Sequence, residues 1–262
     1  MRIAYIVVVL IILSNPLTVW NLQANSKDIN KELDEFFVEF ENKFKENGHK
    51  NFCRDGLLYR NGNESTLWNK SERRICFLLK DPNADTSGKN VDARTYNNMV
   101  GNFGHRLAEW VYGLLKTEKN KKFPFSSAYD KEKKENIFKT APFAIVNIKK
   151  EGGKAQVQDD IVKKFGEKYS DLLRRQLDIL KPNIIVCGGN VVFEIAREWI
   201  YKKEKYESIR VTNNLFYYPN QKMILINSVH PSSRGKEMQE KYNAIINPFC
   251  DFLNSKENYV LE

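Results

Sequence analysis

Ile75-Cys76-Phe77-Leu78-Leu79-Lys80-Asp81-Pro82 is the stretch that decides the fold. A short apolar run with no polar residue alternating through it reads as a strand buried on both faces, and proline directly after Asp81 turns the chain sharply. Three further short apolar runs, at 143–148, 184–187 and 223–226, have the same character. Helical patterns separate them. Leu33, Phe36, Phe37, Phe40 and Phe44 recur at intervals of three and four and predict a helix over 26–45, with Ser26 as its N-cap. Further helices are predicted over 96–116, 157–180, 190–203 (capped by Asn190) and 236–253, while 61–65 reads as loop.

Continuous apolar strands alternating with amphipathic helices predict an α/β fold: a three-layer α-β-α sandwich with a central four-stranded parallel sheet. In such folds ligands sit beyond the carboxyl ends of the strands. That rule selects residues 80–83, 147–153, 188–190 and 227–234. No internal repeat or low-complexity linker interrupts residues 25–262, which are expected to form one domain.

The chain of 262 residues carries 42 Lys and Arg against 33 Asp and Glu, a formal charge of +9, which concentrates polyanions around it and makes nucleic acid the leading partner. Lysine runs at 131–134 and 202–205 read as solvated helix faces. Cys53, Cys76, Cys187 and Cys250 lie far apart, with no CxxC pair and no histidine at zinc spacing, so no metal site is expected and the cysteines read as reduced. Residues 1–24 stand apart. An unbroken apolar run at 3–13 behind Arg2 resembles a signal-peptide core but is too short to span a bilayer by itself. Three readings stay open: a cleaved signal ending near Ala24, a membrane anchor, or a start codon placed too far upstream. The last would leave a cytoplasmic protein.

Asp81 either caps a turn or presents a carboxylate to a water or a developing cation. Asn147 ends an apolar run, where its amide is either a satisfied strand-end group or a planar donor and acceptor suited to reading a base edge. The loop from Lys149 to Lys154 is either a solvated turn or a phosphate contact. His230, one of three histidines, precedes Pro231-Ser232-Ser233-Arg234, whose hydroxyls, amides and guanidinium can grip phosphates. Gly188-Gly189 is either a close-packing turn or an anion contact. Gly188-Gly189-Asn190 lacks the third glycine of GxGxxG, which excludes a Rossmann dehydrogenase.

Taken in order, five blocks resemble the uracil-DNA glycosylase superfamily over residues 75–235. Phe77-Leu78-Leu79-Lys80-Asp81-Pro82 resembles its first motif. Gly101-Asn102-Phe103-Gly104-His105-Arg106-Leu107 is similar to the GxxGxxL helix of the iron–sulfur branch. Ala144-Ile145-Val146-Asn147 resembles the strand whose Asn reads the pyrimidine. Leu180-Lys181-Pro182-Asn183-Ile184 through Asn190 resembles the LKPxxI block, and His230-Pro231-Ser232 matches the closing HPS motif.

The resemblance implies hydrolysis of the bond joining uracil or another altered base to deoxyribose, by a monomer acting on single-stranded DNA or on a nucleotide flipped from a duplex. It implies Asp81 and His230 as catalytic residues. Asn147, Pro82, Met99 and Tyr96 would contact the base, and Ser232, Ser233, Arg234, Lys149, Lys154, Gly188 and Gly189 the phosphates. No metal or organic cofactor is implied. The sequence departs from the pattern in three places: Leu79-Lys80 stands where the family's first motif usually has glycine, Met99 aligns with the branch's stacking Phe, and the four cluster cysteines are missing. A catalytically inactive nucleic-acid- or nucleotide-binding module of the same fold is the alternative.

Overall fold

The structure is a computed structural model that describes residues 27–82, 90–96, 99, 101–152, 157–255 and 259–261. Ser26, Ala24, the apolar segment 1–24 and Lys154 lie outside the described residues.

Helix α1 (Ile29–Glu46) starts at Asp28, whose carboxylate accepts from the main-chain N–H groups of Asn30 and Lys31. A side-chain oxygen satisfying donors that the first turn leaves orphaned is the usual reason a helix begins where it does. Strands β1 (Cys53–Arg54) and β2 (Gly56–Leu57) follow, then α2 (Glu64–Lys70), β3 (Ile75–Leu79), β4 (Val91–Asp92) and α3 (Gly101–Lys116). After α4 (Phe125–Ala128) and α5 (Lys131–Thr140) come β5 (Ala144–Asn147), α6 (Asp159–Lys168), α7 (Ser170–Leu180), β6 (Ile184–Gly188) and α8 (Asn190–Ile195). Helix α8 runs into a π-helical turn, Ala196–Ile200, and the chain closes with β7 (Ile209–Thr212), β8 (Leu215–Tyr218), β9 (Met223–Ser228) and α9 (Met238–Asn254).

The sheet corrects the expectation of four parallel strands. It is mixed and seven-stranded, in the order β2-β5-β3-β6-β9-β8-β7. The four strands read from the sequence are neighbours within it and pair in parallel, while β2 joins one edge antiparallel and β8 and β7 the other. The added strands leave little periodic signal in the sequence. Strand β2 is only two residues long, and the β7–β8 pair lies outside any βαβ unit, as a hairpin turning at Asn213-Asn214. A second, two-stranded sheet pairs β1 with β4.

Helices cover both faces. Cys76 and Leu78 of β3 pack on one side with the aromatic face of α1 and with α6, α7 and α8. Ile75, Phe77 and Leu79 pack on the other with α3 and α9. Every residue of β3 is at most 2% exposed, which explains the absence of alternation in its sequence. Truncating Phe77 to Ala would cost about 3–5 kcal/mol at such a site.

Several predicted bounds shift: α1 begins at Ile29 with Asp28 as its cap, α2 begins at Glu64 inside the stretch read as loop, α8 ends at Ile195 before the π-helical turn, and α9 begins at Met238. The 157–180 pattern is broken at Tyr169 into α6 and α7, and α3 begins at Gly101 rather than at 96, after a 3-10 turn at Ala93–Thr95. The lysine run at 131–134 is not wholly solvated: Lys134 is buried and donates to Glu109 Oε1 at 2.8 Å. No helix among the described residues is long and apolar enough to cross a membrane.

Candidate active site

Because β5, β3, β6 and β9 run parallel and adjacent, their carboxyl ends share one edge of the sheet. Leu79 is in register with Asn147, and the pairing continues past the strands, Ile148 N–H donating to Leu79 O (2.8 Å) and Lys149 N–H to Lys80 O (2.9 Å). Asp81 follows directly. It is half-buried, and its Oδ2 is buried with no hydrogen-bond partner among the described residues. Burial raises its pKa above the ordinary carboxylate value, with Lys149 and Lys80 pulling the other way.

On the far side of β6, Ser228 is in register with Gly188 and His230 lies just beyond. A Cβ added to Gly188 would stand 2.6 Å from Leu79 Cδ2 and 3.6 Å from His230 Cδ2. Glycine is needed there so that the ends of β3 and β9 can close over β6. Gly189, at φ +125°, then turns the chain into α8, and Lys80 Cε lies beside it on the way to an ion pair with Asp159 (2.6 Å).

The loop after β9 fixes the chemistry of His230. The main-chain N–H of Ser232 donates to Nδ1 (3.2 Å), and the Ser232 hydroxyl meets the same nitrogen at 2.7 Å. A main-chain amide can only donate, so Nδ1 is the acceptor and the proton of the neutral ring sits on Nε2. Burial, reinforced by the cations Lys80 and Arg106, holds the imidazole down to about 4. At neutral pH His230 is an uncharged Nε2–H donor.

Arg106 of α3 braces this loop from beneath, donating through Nη1 to the carbonyls of Pro231 and Ser233 (2.7 Å to the latter). Lys241 of α9 reaches the same Ser233 carbonyl at 2.7 Å. Ser233 N–H closes the turn onto His230 O at 2.9 Å. The Ser233 hydroxyl is buried without a partner among the described residues, while Ser232 and Arg234 are exposed.

Phe103, one turn before Arg106, places its ring 6.1 Å from that of His230 and 5.9 Å from that of Tyr96. Tyr96 Oη and the Met99 backbone both pack so closely on Gly104 that a Cβ there would come within 3 Å of them. Tyr96, Met99, Phe103 and His230 therefore belong to one neighbourhood, and among the described residues Phe103 is the aromatic ring that reaches the histidine. Phe103 lies within the GxxGxxL segment, whereas the resemblance points to Met99 and Tyr96 for contact with the base.

Comparison with protein-family models and with curated proteins returned no match. The chemistry of the site rests on its own residues.

Asn147 is 3% exposed and does not stand alone. Its main-chain N–H (2.8 Å) and its side-chain Nδ2 (3.0 Å) both donate to Oδ2 of Asp55, which lies between the two-residue strands β1 and β2 and carries no motif signal in the sequence. Lys150 Nζ (2.5 Å) and Gln176 Nε2 (2.9 Å) hold the other carboxylate oxygen. Lys149, expected at a phosphate, is instead buried, with its ammonium donating to the Glu151 carbonyl at 3.0 Å. Pro82 is buried beside Asp81. No cluster of metal-ligating side chains occurs among the described residues.

This edge thus offers a carboxylate raised by burial, a neutral imidazole donor, an oriented amide and an aromatic ring. That set suits a bond cleavage in which positive charge develops on one fragment and negative charge on the other.

Proposed function

We propose that the chain is a DNA glycosylase that hydrolyses the N-glycosidic bond of uracil or another altered base, with the three-layer fold of the uracil-DNA glycosylase superfamily built on the parallel block β5-β3-β6-β9. The observation that carries this reading is the pair of Ser232 contacts at His230 Nδ1, which leave the neutral ring its Nε2–H to donate to an anionic acceptor.

As the C1′–N bond breaks, its electron pair leaves with the base and charge builds on a ring carbonyl oxygen. His230 Nε2–H donates to that oxygen. A neutral donor suits this task because its strength toward a weakly basic oxygen grows as charge develops, without a proton being given up beforehand. The sugar left behind has oxocarbenium character, and the Asp81 carboxylate faces it while holding the attacking water through Oδ2. Water supplies the hydroxyl at C1′, and its remaining proton ends on the departed base by way of solvent. Asn147 reads the base edge and Phe103, with Tyr96 and Met99 behind it, packs on the ring. Ser232 and Arg234 hold phosphate, favoured by the net charge of +9.

The test is incubation of the purified protein with single-stranded and duplex oligonucleotides carrying uracil or other altered bases, followed by alkali to cleave at abasic sites. Strand breaks that disappear in His230→Ala are expected. Absence of breaks with every altered base would overturn the reading.

A further inference from the structure

We propose that Asp55 is a positioning residue that sets base specificity by fixing which end of the Asn147 amide faces the base, an inference that rests on the glycosylase reading above. The amide of an Asn is nearly symmetric in shape but opposite in polarity at its two ends, so an unanchored Asn can rotate by half a turn and exchange donor for acceptor. Asn147 has no such freedom. Asp55 Oδ2 lies 3.0 Å from Nδ2, and a carboxylate can only accept. The nitrogen end must therefore face Asp55, and the oxygen end must face away from it.

The anchor is itself anchored. Oδ2 also takes the Asn147 main-chain N–H at 2.8 Å, so it cannot move without breaking a second bond to the same residue. Oδ1 is held by Lys150 at 2.5 Å and by Gln176 at 2.9 Å, and Gln176 binds the Asp55 carbonyl as well. Asp55, Lys150 and Gln176 are each at most 1% exposed. Each carboxylate oxygen thereby accepts two hydrogen bonds inside a buried cluster. The position of Asp55 follows from the backbone: it lies immediately before Gly56, whose pairing with Ile145 brings β2 along β5. Gly56, at φ +142°, packs a hypothetical Cβ 2.8 Å from Leu33 Cδ1, so this approach needs glycine.

With its polarity fixed, Asn147 offers a base an acceptor, Oδ1, next to the remaining N–H of Nδ2. A pyrimidine edge that presents a ring N–H beside a carbonyl oxygen complements that pair. An edge with an unprotonated ring nitrogen beside an exocyclic amine, as in cytosine, meets acceptor with acceptor and donor with donor. Asp55 thus selects lactam pyrimidines over aminopyrimidines without touching either.

The probes are single-stranded oligonucleotides with one 2′-fluoroarabino-uridine or one 2′-fluoroarabino-cytidine, which bind without being cleaved, with affinities read by fluorescence anisotropy. Wild-type protein is expected to prefer the uridine probe, and Asp55→Asn, whose side chain can donate to a rotated Asn147, is expected to lose about 10–100-fold of that preference. Asp55→Glu, which keeps a carboxylate beside Lys150, should retain part of it. As a readout on the wild-type protein alone, one Asn147 side-chain amide proton should exchange slowly with solvent. Equal binding of the two probes by wild type, a preference unchanged in Asp55→Asn, or rapid exchange of both amide protons would each overturn the inference. Excision of ordinary uracil is assayed in parallel. Its absence there and with every other altered base, alongside an Asp55-dependent preference, would reject the glycosylase reading while leaving the role of Asp55 standing.

Discussion

Ser232 and His230 are bound to each other twice, by the main-chain N–H of Ser232 (3.2 Å) and by its hydroxyl (2.7 Å), both at Nδ1. The proton of the ring is thereby assigned to Nε2, and burial keeps a second proton off until about pH 4. Nitrogen-detected NMR at pH 7 should show the Nε2-protonated neutral tautomer, and a titration should place the midpoint near 4 rather than near the ordinary value of 6.5. The unfolded chain takes up this proton first as pH falls. Stability associated with His230 is therefore complete above about 6.5 and declines as pH drops toward 4. His230→Gln should flatten that part of the stability profile, and a midpoint near 6.5 in the folded protein would be incompatible with the tautomer assignment.

Asp81 should show function and stability in opposition. Burial raises its pKa, so its ionised form is the less favoured one in the folded state. The stability it contributes is complete at low pH and is lost as pH rises through the folded value. Asp81→Asn should then melt higher than wild type at pH 7, by a few degrees at most, with the gap closing toward pH 4. The same substitution should lower turnover of the proposed base-release reaction by about 100-fold or more, the scale of removing a charge that would face its transition state. The acid limb of the wild-type rate should lie above the ordinary carboxylate range. Melting curves that coincide at all pH values would contradict the burial argument.

The edge that carries this site was legible because the four parallel strands are buried on both faces and leave continuous apolar runs, and because ligand-facing residues of such sheets follow those runs. That rule selects Asp81, Asn147 and His230 as candidates. What stayed hidden was cross-chain. Asp55 sits between two strands of two residues each, too short for any periodicity, and its partners Lys150 and Gln176 look in sequence like a loop lysine and a polar helix residue. Arg106 likewise reads as an ordinary helix cation until the HPS loop is seen folded over it. Phe103 lay in a quoted motif, and only the ring-to-ring distance from His230 gives it a role.

Arg106 is expected to act through the loop it braces. Removing its guanidinium leaves the Pro231 carbonyl without this donor and the Ser233 carbonyl dependent on Lys241. Arg106→Ala should cost about 1–3 kcal/mol of stability, the penalty for stranding buried acceptors. It should also speed hydrogen exchange at the Ser233 amide, which closes the turn onto His230. Turnover should fall more than substrate affinity, because His230 would lose its fixed direction while Ser232 and Arg234 stay exposed to phosphate. A variant destabilised without faster exchange at Ser233 would show that Arg106 serves packing alone.

The lysine run at 131–134 separates a solvated charge from a buried one within a single turn. Lys133, with its side chain 61% exposed, faces Asp130 at 3.7 Å, a geometry that contributes at most about 1 kcal/mol. Lys134, with its side chain 6% exposed, meets Glu109 of α3 at 2.8 Å, and Glu109 is itself 1% exposed. Lys133→Ala should leave the melting temperature nearly unchanged. Lys134→Ala strands a buried carboxylate and should cost about 3–5 kcal/mol, whereas replacing both partners together by Met and Leu should recover most of that loss. Because Glu109 lies on the helix that carries Phe103 and Arg106, the single variant should also disturb the His230 loop, seen as faster exchange at Ser233, and the double replacement should restore it. Equal effects of Lys133→Ala and Lys134→Ala on melting would mean that α5 does not hold α3 through this pair.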